Sequence, residues 1–301
     1  MTSPQTFLRK PRRLVATLAV GLTLTGCATA KVTEESLMRA RPAPSLSSLA
    51  VAAVAPEYTL EHHRISTPDG AKLAGTLLRR PGARHTILYF GGNQYRSGVF
   101  GAQTLQAFAP LGVNLMIVDH RGYGASEGRP TARTIESDGV AAYDYLIGLP
   151  VVESSAVVVH GQSLGSFAAG YVAANRPTAA VVLESSATTA DAWAALQVPV
   201  VARGFVKVRL DEALRGRGNL PTMKAIAEPL LILVGQQDSS TPPRFSSALY
   251  QASPLRPGRK RLVVVPGAGH NDVMAHGETI SAYREFLDEL GPPQVRQTAE
   301  P

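Results

Sequence analysis

Short apolar runs recur along this chain, separated by polar stretches of helical length and by Gly- and Pro-containing turns. Residues 58–66 and 72–78 flank Thr67-Pro68-Asp69-Gly70 and predict a β-hairpin. Residues 86–90, 114–119, 155–160, 179–184, 230–234 and 261–265 predict six further strands. Their apolar character is nearly continuous rather than alternating, as expected of strands buried on both faces. Helices are predicted over residues 98–110, 134–147, 163–175, 244–251 and 280–290. Strand-helix alternation of this kind predicts an α/β fold, with a mainly parallel central sheet flanked by helices on both faces.

Two regions break the rhythm. Residues 188–228 are irregular and carry Trp193, the single tryptophan, followed by Val198, Val200, Val201, Phe205 and Val208. They are too long for a plain loop, and read as a short helical cap after the sixth strand that shapes an apolar pocket, or as extra helices covering the sheet edge. Residues 27–56 mix Pro, Ser, Ala and charge without a sustained period and read as a tether able to reach ~90 Å when extended. Part of residues 45–54 is apolar enough to dock instead. Residues 57–290 then form one large domain, and residues 291–301 a Pro- and Gln-rich flexible tail.

The amino terminus changes the reading of charge. Arg9, Lys10, Arg12 and Arg13 precede an apolar run too short to span a bilayer permanently. The run ends Leu24-Thr25-Gly26-Cys27, which resembles the bacterial lipoprotein cleavage box. Cys27 is the sole cysteine, so it has no intrachain disulfide partner. The resemblance implies removal of residues 1–26, lipidation of Cys27 and stable attachment to a cell-envelope membrane. In a diderm host, Ala28 after the cysteine implies the periplasmic side of the outer membrane. The full chain has 30 basic and 23 acidic residues; without the four basic residues of 1–26 its net charge falls from +7 to +3. That residue charge, with no basic-aromatic motif, gives no support for nucleic-acid binding.

The chemistry centres on Val157-Val158-Val159-His160-Gly161-Gln162-Ser163-Leu164-Gly165, an apolar run ending in Gly-x-Ser-x-Gly before a helical segment. A tight strand-to-helix turn lifts such a serine out of the sheet, and the glycines relieve crowding on either side. Two more apolar strands end in loops carrying Asp238 and His270, giving the order nucleophile, acid, histidine. In a parallel sheet these strand ends share one edge, where ligands bind. Ser163 is thus the expected nucleophile, His270 the general base and then acid, and Asp238 the residue that orients the imidazole. Glu184, after the sixth strand, is an alternative acid with a poorer loop context. His160 is expected beneath the turn, His120 near the pocket, His276 near the next helix, and His62, His63 and His85 on the surface. Asp119 and Arg121 are expected to form a buried ion pair or a loop brace.

Taken with Tyr89-Phe90-Gly91-Gly92-Asn93 and Asp119-His120-Arg121-Gly122-Tyr123-Gly124-Ala125-Ser126-Glu127-Gly128, these motifs resemble the α/β-hydrolase superfamily over about residues 57–290. The likeness is to its short-cap serine esterases and acyl-thioesterases. Gly91 departs from that branch, which usually has histidine there. The resemblance implies an oxyanion hole made by the backbone N–H groups of Leu164 and Asn93. It implies hydrolysis of a small-molecule ester or thioester through an acyl-enzyme, without an organic cofactor or metal. A serine peptidase and a non-catalytic envelope binding protein on the same fold are the alternatives.

Overall fold

The computed structural model describes residues 28–153, 156–202 and 205–291. In chain order it begins with β1 (Ala28–Val32), α1 (Glu34–Leu37), α2 (Ser48–Val54), β2 (Thr59–Ser66), β3 (Lys72–Arg79), β4 (Thr86–Phe90), α3 (Ser97–Phe108) and β5 (Asn114–Val118). It continues through α4 (Ala132–Ile147), β6 (Val157–Gln162), α5 (Gly165–Asn175), β7 (Ala180–Glu184), α6 (Ala190–Leu196), β8 (Val206–Leu210) and α7 (Asn219–Thr222). The last elements are β9 (Leu230–Gly235), α8 (Pro243–Ala252), β10 (Lys260–Val265) and α9 (Gly277–Glu289).

Eight strands form one sheet in the order β10-β9-β7-β6-β4-β5-β3-β2. The six from β4 to β10 in this sheet run parallel, while β3 is antiparallel to both β5 and β2. Every residue of β4, β7 and β9 is buried, which is why their sequences show no alternation. Edge strand β2 alternates from His62 to Ser66, as one half-exposed face requires. Successive side chains still part to opposite faces: Leu88 and Phe90 pack with Ile135, Tyr143, Ala168 and Val172, whereas Ile87 and Tyr89 pack with Leu105, Phe108 and Tyr283. Strand order reverses at β4, which has β5 on one side and β6 on the other. The crevice beyond the carboxyl ends of β4 and β6 is therefore the place where such a sheet takes ligands.

The expected strands and long helices are present with shifts of a few residues; β6 runs on to Gln162, and α5 begins at Gly165. The amino-terminal segment differs more. Residues 28–56, expected as a tether, are docked on the domain. β1 pairs in parallel with β8, from Ala28 opposite Val206 to Val32 opposite Leu210. Leu46, Val51 and Ala55 are buried in the core, and α2 is capped by the Ser47 hydroxyl accepting from the Ala50 N–H. The physical reason is nonlocal: the hydrogen-bond partner of β1 lies in the cap, far along the chain, so no local period announces it. The cap correspondingly holds a strand as well as the helices α6 and α7. Cys27 and residues 1–26 lie outside the described residues.

Candidate active site

Ser163 occupies the turn between β6 and α5 with φ of 51°, a left-handed conformation unusual for a non-glycine residue. Its N–H donates to the Glu184 carbonyl of β7 at 2.8 Å, which pins the turn to the neighbouring strand. Tight packing explains the glycines on either side. A Cβ on Gly161 would lie 2.2 Å from the Gly165 carbonyl oxygen, and one on Gly165 would lie 2.1 Å from that of Phe90.

The loops after β9 and β10 bring the two other expected residues to this turn. His270 Nε2 lies 3.0 Å from Ser163 Oγ, and His270 Nδ1 lies 2.8 Å from Asp238 Oδ2. A carboxylate facing Nδ1 selects the tautomer with hydrogen there, leaving the Nε2 lone pair toward the serine hydroxyl. Asp238 is only 3% exposed. Burial works to raise its carboxyl pKa, but hydrogen bonds from His270 and from the Thr241 backbone and hydroxyl outweigh it and hold the group below the usual range. Asp238 Oδ1 accepts the N–H groups of Ser240 and Thr241, each at 2.8 Å.

Thr241 was not singled out in the sequence, although a threonine three residues after an aspartate is a common local hydrogen-bonding pattern. Its hydroxyl lies 2.8 Å from Asp238 Oδ2, 2.8 Å from the Ser185 carbonyl and 3.1 Å from His270 Nδ1. Thr241→Val keeps the shape and both backbone donors, so we expect kcat to fall only about tenfold, the worth of one hydrogen bond to a charged group. A steady-state comparison checks this; an unchanged kcat would remove Thr241 from the site.

Asn93 and Leu164 stand on the wall of the same cleft as Ser163. Among the described residues neither backbone N–H has a hydrogen-bond partner. The Asn93 side chain is clamped by the amino-terminal segment: its Nδ2 donates to the Leu37 carbonyl at 2.6 Å, and its Oδ1 accepts the Arg39 N–H at 3.0 Å and the Tyr123 hydroxyl at 2.8 Å. The departure at Gly91 has a steric counterpart. A Cβ there would fall 2.1 Å from the Tyr95 ring, so this aromatic fills the space a larger residue would need.

The competing residues have other partners. Glu184 Oε2 bonds to Nε2 of the fully buried His160 at 2.9 Å, whereas His270 Nδ1 meets Asp238. Asp119 and Arg121 do not pair with each other. Asp119 accepts from the Ser97 N–H and hydroxyl and the Ala125 N–H, while Arg121 bonds to Asp138 and Asp69. His85, expected on the surface, is 5% exposed; it immediately precedes β4, and its carbonyl accepts the Asn114 N–H of β5. His276 caps α9.

His120 does not line the cleft; it stacks on Phe90 and donates from Nε2 to the Gly91 carbonyl at 2.9 Å. Burial pushes its pKa down to about 4, against the opposing pull of that hydrogen bond. Below pH 6.5 the unfolded chain takes up a proton that the folded chain refuses until about pH 4. The His120 contribution to stability is therefore full above the first value and lost as pH falls through the second, about 3 kcal/mol in all. Thermal melts should fall more steeply over this window for the wild type than for His120→Gln, whose amide can donate to the same carbonyl. Parallel curves would contradict the assignment.

The cleft above Ser163 has a volume of about 1010 Å³. Its walls include Tyr89, Phe100, Phe108, Phe167, Trp193 and Met274, with Leu37 and Arg39 contributed by the amino-terminal segment. Among the described residues, no group of three His, Cys, Asp or Glu side chains is placed to hold a metal ion.

Sheet, flanking helices and crevice are those of an α/β hydrolase, and the chain's likeness to known proteins agrees. Residues 100–289 match the prolyl oligopeptidase family, to which the chain belongs. It is 32% identical over 232 residues to an uncharacterized Mycobacterium tuberculosis protein, covering 75% of this chain and 78% of that one. It is 27% identical over 292 residues to the α/β hydrolase domain-containing protein WAV2 of Arabidopsis thaliana, covering 92% and 94% respectively. Among solved structures, the Pyrococcus furiosus esterase Pf2001 superposes with a TM-score of 0.65 at 19% identity, covering 83% of this chain and 99% of the esterase.

Proposed function

We propose that the protein is a membrane-anchored serine hydrolase that cleaves carboxylic esters or acyl thioesters through an acyl-enzyme. What carries this function is the Ser163 hydroxyl, held in a strained turn 3.0 Å from an imidazole whose other nitrogen meets a buried carboxylate. Ser163 Oγ attacks the substrate carbonyl carbon as its proton passes to His270 Nε2. The oxyanion accepts the N–H groups of Asn93 and Leu164, each worth about 3 kcal/mol in such a site. Collapse expels the alcohol or thiol, which takes the proton from His270. Water then attacks the acyl-serine by the same route, releasing the acid and restoring Ser163. Asp238, with its lowered pKa, stays ionised and stabilises the imidazolium.

Membership of the prolyl oligopeptidase family favours a second reading, cleavage of a peptide amide. The cleft walls favour the acyl substrate. Among the described residues they set the apolar side chains of Phe100, Phe108, Phe167, Trp193 and Met274 among polar ones such as Gln94, Gln103, Gln106 and Gln197, and their acidic residue, Glu184, is already bonded to His160. Cys27 supplies the anchor in this proposal, as the acylated first residue of the mature chain. In a diderm host that places the enzyme on the periplasmic side of the outer membrane.

Hydrolysis of p-nitrophenyl esters from acetate to palmitate, set beside a panel of peptide amides, separates the two readings. A chain-length optimum with no amide cleavage supports the esterase. Amide turnover faster than ester turnover would make the protein a peptidase.

A further inference from the structure

Two large apolar side chains stand out on the cap: Val201 is 87% exposed and Phe205 is 72% exposed. Single exposed hydrophobics are ordinary on any protein surface. Their position makes these two different. β1 and β8 run parallel with Ala28 opposite Val206, so the chain enters β1 at the same end at which Phe205 enters β8. One peptide bond, about 3.8 Å between Cα atoms, separates Ala28 from the residue before it. The described chain therefore begins, one residue after the proposed anchor, at the end of the sheet where Phe205 enters β8.

The two-stranded sheet itself has two unlike faces. Ala30 and Val32 of β1 share the half-buried face with Val206, Val208 and Leu210 of β8, and Val206 and Val208 face Ala192, Ala195 and Leu196 of α6. Thr29, Lys31, Lys207 and Arg209 are exposed on the other face, with Lys31 in register with Arg209. Asp211 approaches Lys31 at 3.4 Å, and Lys207 and Arg209 have no ion-pair partner among the described residues. Apolar residues at the anchored end and cations along the outer face suit a bilayer bearing anionic headgroups.

We infer that this edge of the cap, centred on Val201 and Phe205 and flanked by Lys207 and Arg209, is a bilayer-docking surface through which the enzyme draws membrane-resident acyl esters into its cleft. The inference rests on acylation of Cys27. α6 ties the surface to the site, because Ala190, Trp193 and Gln197 line the cleft while Ala192, Ala195 and Leu196 face the β8 side. The cleft and the docking surface are thus opposite sides of one wall, made of α6 and the two-stranded sheet packed against it. The chain from Ala28 to the cleft residue Leu37 spans at most ~32 Å even if extended. An anchor at this point holds the cleft wall near the lipid, rather than letting the enzyme range over the ~90 Å of a free tether.

The test uses the full chain expressed with its signal, purified from membranes and reconstituted into vesicles containing phosphatidylglycerol. Phe205→Trp in a Trp193→Phe background should be quenched by brominated acyl chains. Val201→Glu/Phe205→Glu should retain hydrolysis of soluble p-nitrophenyl acetate while losing at least about tenfold toward p-nitrophenyl palmitate embedded in the vesicles, the least expected when even one apolar side chain leaves the bilayer. Mass spectrometry of the mature amino-terminal peptide reads the anchor separately. Acylated Cys27 with no quenching and undiminished activity in vesicles would overturn the docking surface alone. An unmodified Cys27 would overturn the anchor and the docking surface with it. Loss of acetate hydrolysis in wild-type protein would strike the esterase function.

Discussion

With Ser163 replaced by alanine, ester hydrolysis is expected to fall about 10⁵-fold in kcat, equivalent to about 7 kcal/mol of transition-state stabilisation. The folded protein should be unaffected or slightly stabilised, because alanine removes only a hydroxyl whose partner among the described residues is His270 Nε2. Residual turnover would come from binding and from the proposed oxyanion donors, the N–H groups of Asn93 and Leu164. Asp238→Asn should cost about 10⁴-fold, since an amide facing Nδ1 permits the tautomer that directs N–H rather than a lone pair at Ser163. Glu184→Gln should leave that tautomer intact, because its carboxylate touches His160 and not His270. Burst kinetics with a p-nitrophenyl ester, together with labelling by a fluorophosphonate, check all three. A Ser163→Ala protein with wild-type turnover would mean that another nucleophile does the chemistry.

The next largest effect is expected at a residue that never touches substrate. Gly165→Ala places a Cβ 2.1 Å from the Phe90 carbonyl oxygen and 2.5 Å from that of Gly91. Both are backbone atoms, in a fully buried strand and in the loop that leads to Asn93, so no side chain can swing away. Relief requires the start of α5 to move by about 1 Å, and a displacement of that size in a catalytic constellation costs about 10²-fold in rate. The stability loss should exceed about 4 kcal/mol, which for a domain of this size lowers Tm by roughly 8–16 °C. Calorimetry and the specific activity of the folded fraction measure the two effects together. A variant melting with the wild type would show that the elbow is looser than its packing indicates.

Much of this architecture was legible because its signals are local. Continuous apolar runs mark strands buried on both faces, and the fully buried β4, β7 and β9 carry such runs. Ser163, Asp238 and His270 were legible for a related reason: each follows the carboxyl end of a parallel strand, and those ends meet on one edge of the sheet. The Thr241 contacts were harder to see, since a threonine after an aspartate caps turns throughout proteins, and only the arrival of His270 gives this one a place in the site. His85 is buried although its local sequence reads as surface, and a backbone contact that holds it, the Asn114 N–H on its carbonyl, comes from β5.

By itself, then, the amino-acid sequence determined the α/β alternation, the turn that needs Gly161 and Gly165, and which three side chains converge. These follow from hydrogen-bond geometry and side-chain period within a few residues of each position. Only the tertiary structure decided the course of residues 28–56, the clamp of Leu37 and Arg39 on Asn93, and the filling of the space beside Gly91 by Tyr95. β1 has too few residues and too weak a pattern to declare itself a strand. It becomes one because β8, almost the length of the domain away in sequence, presents an unpaired edge whose backbone groups it satisfies.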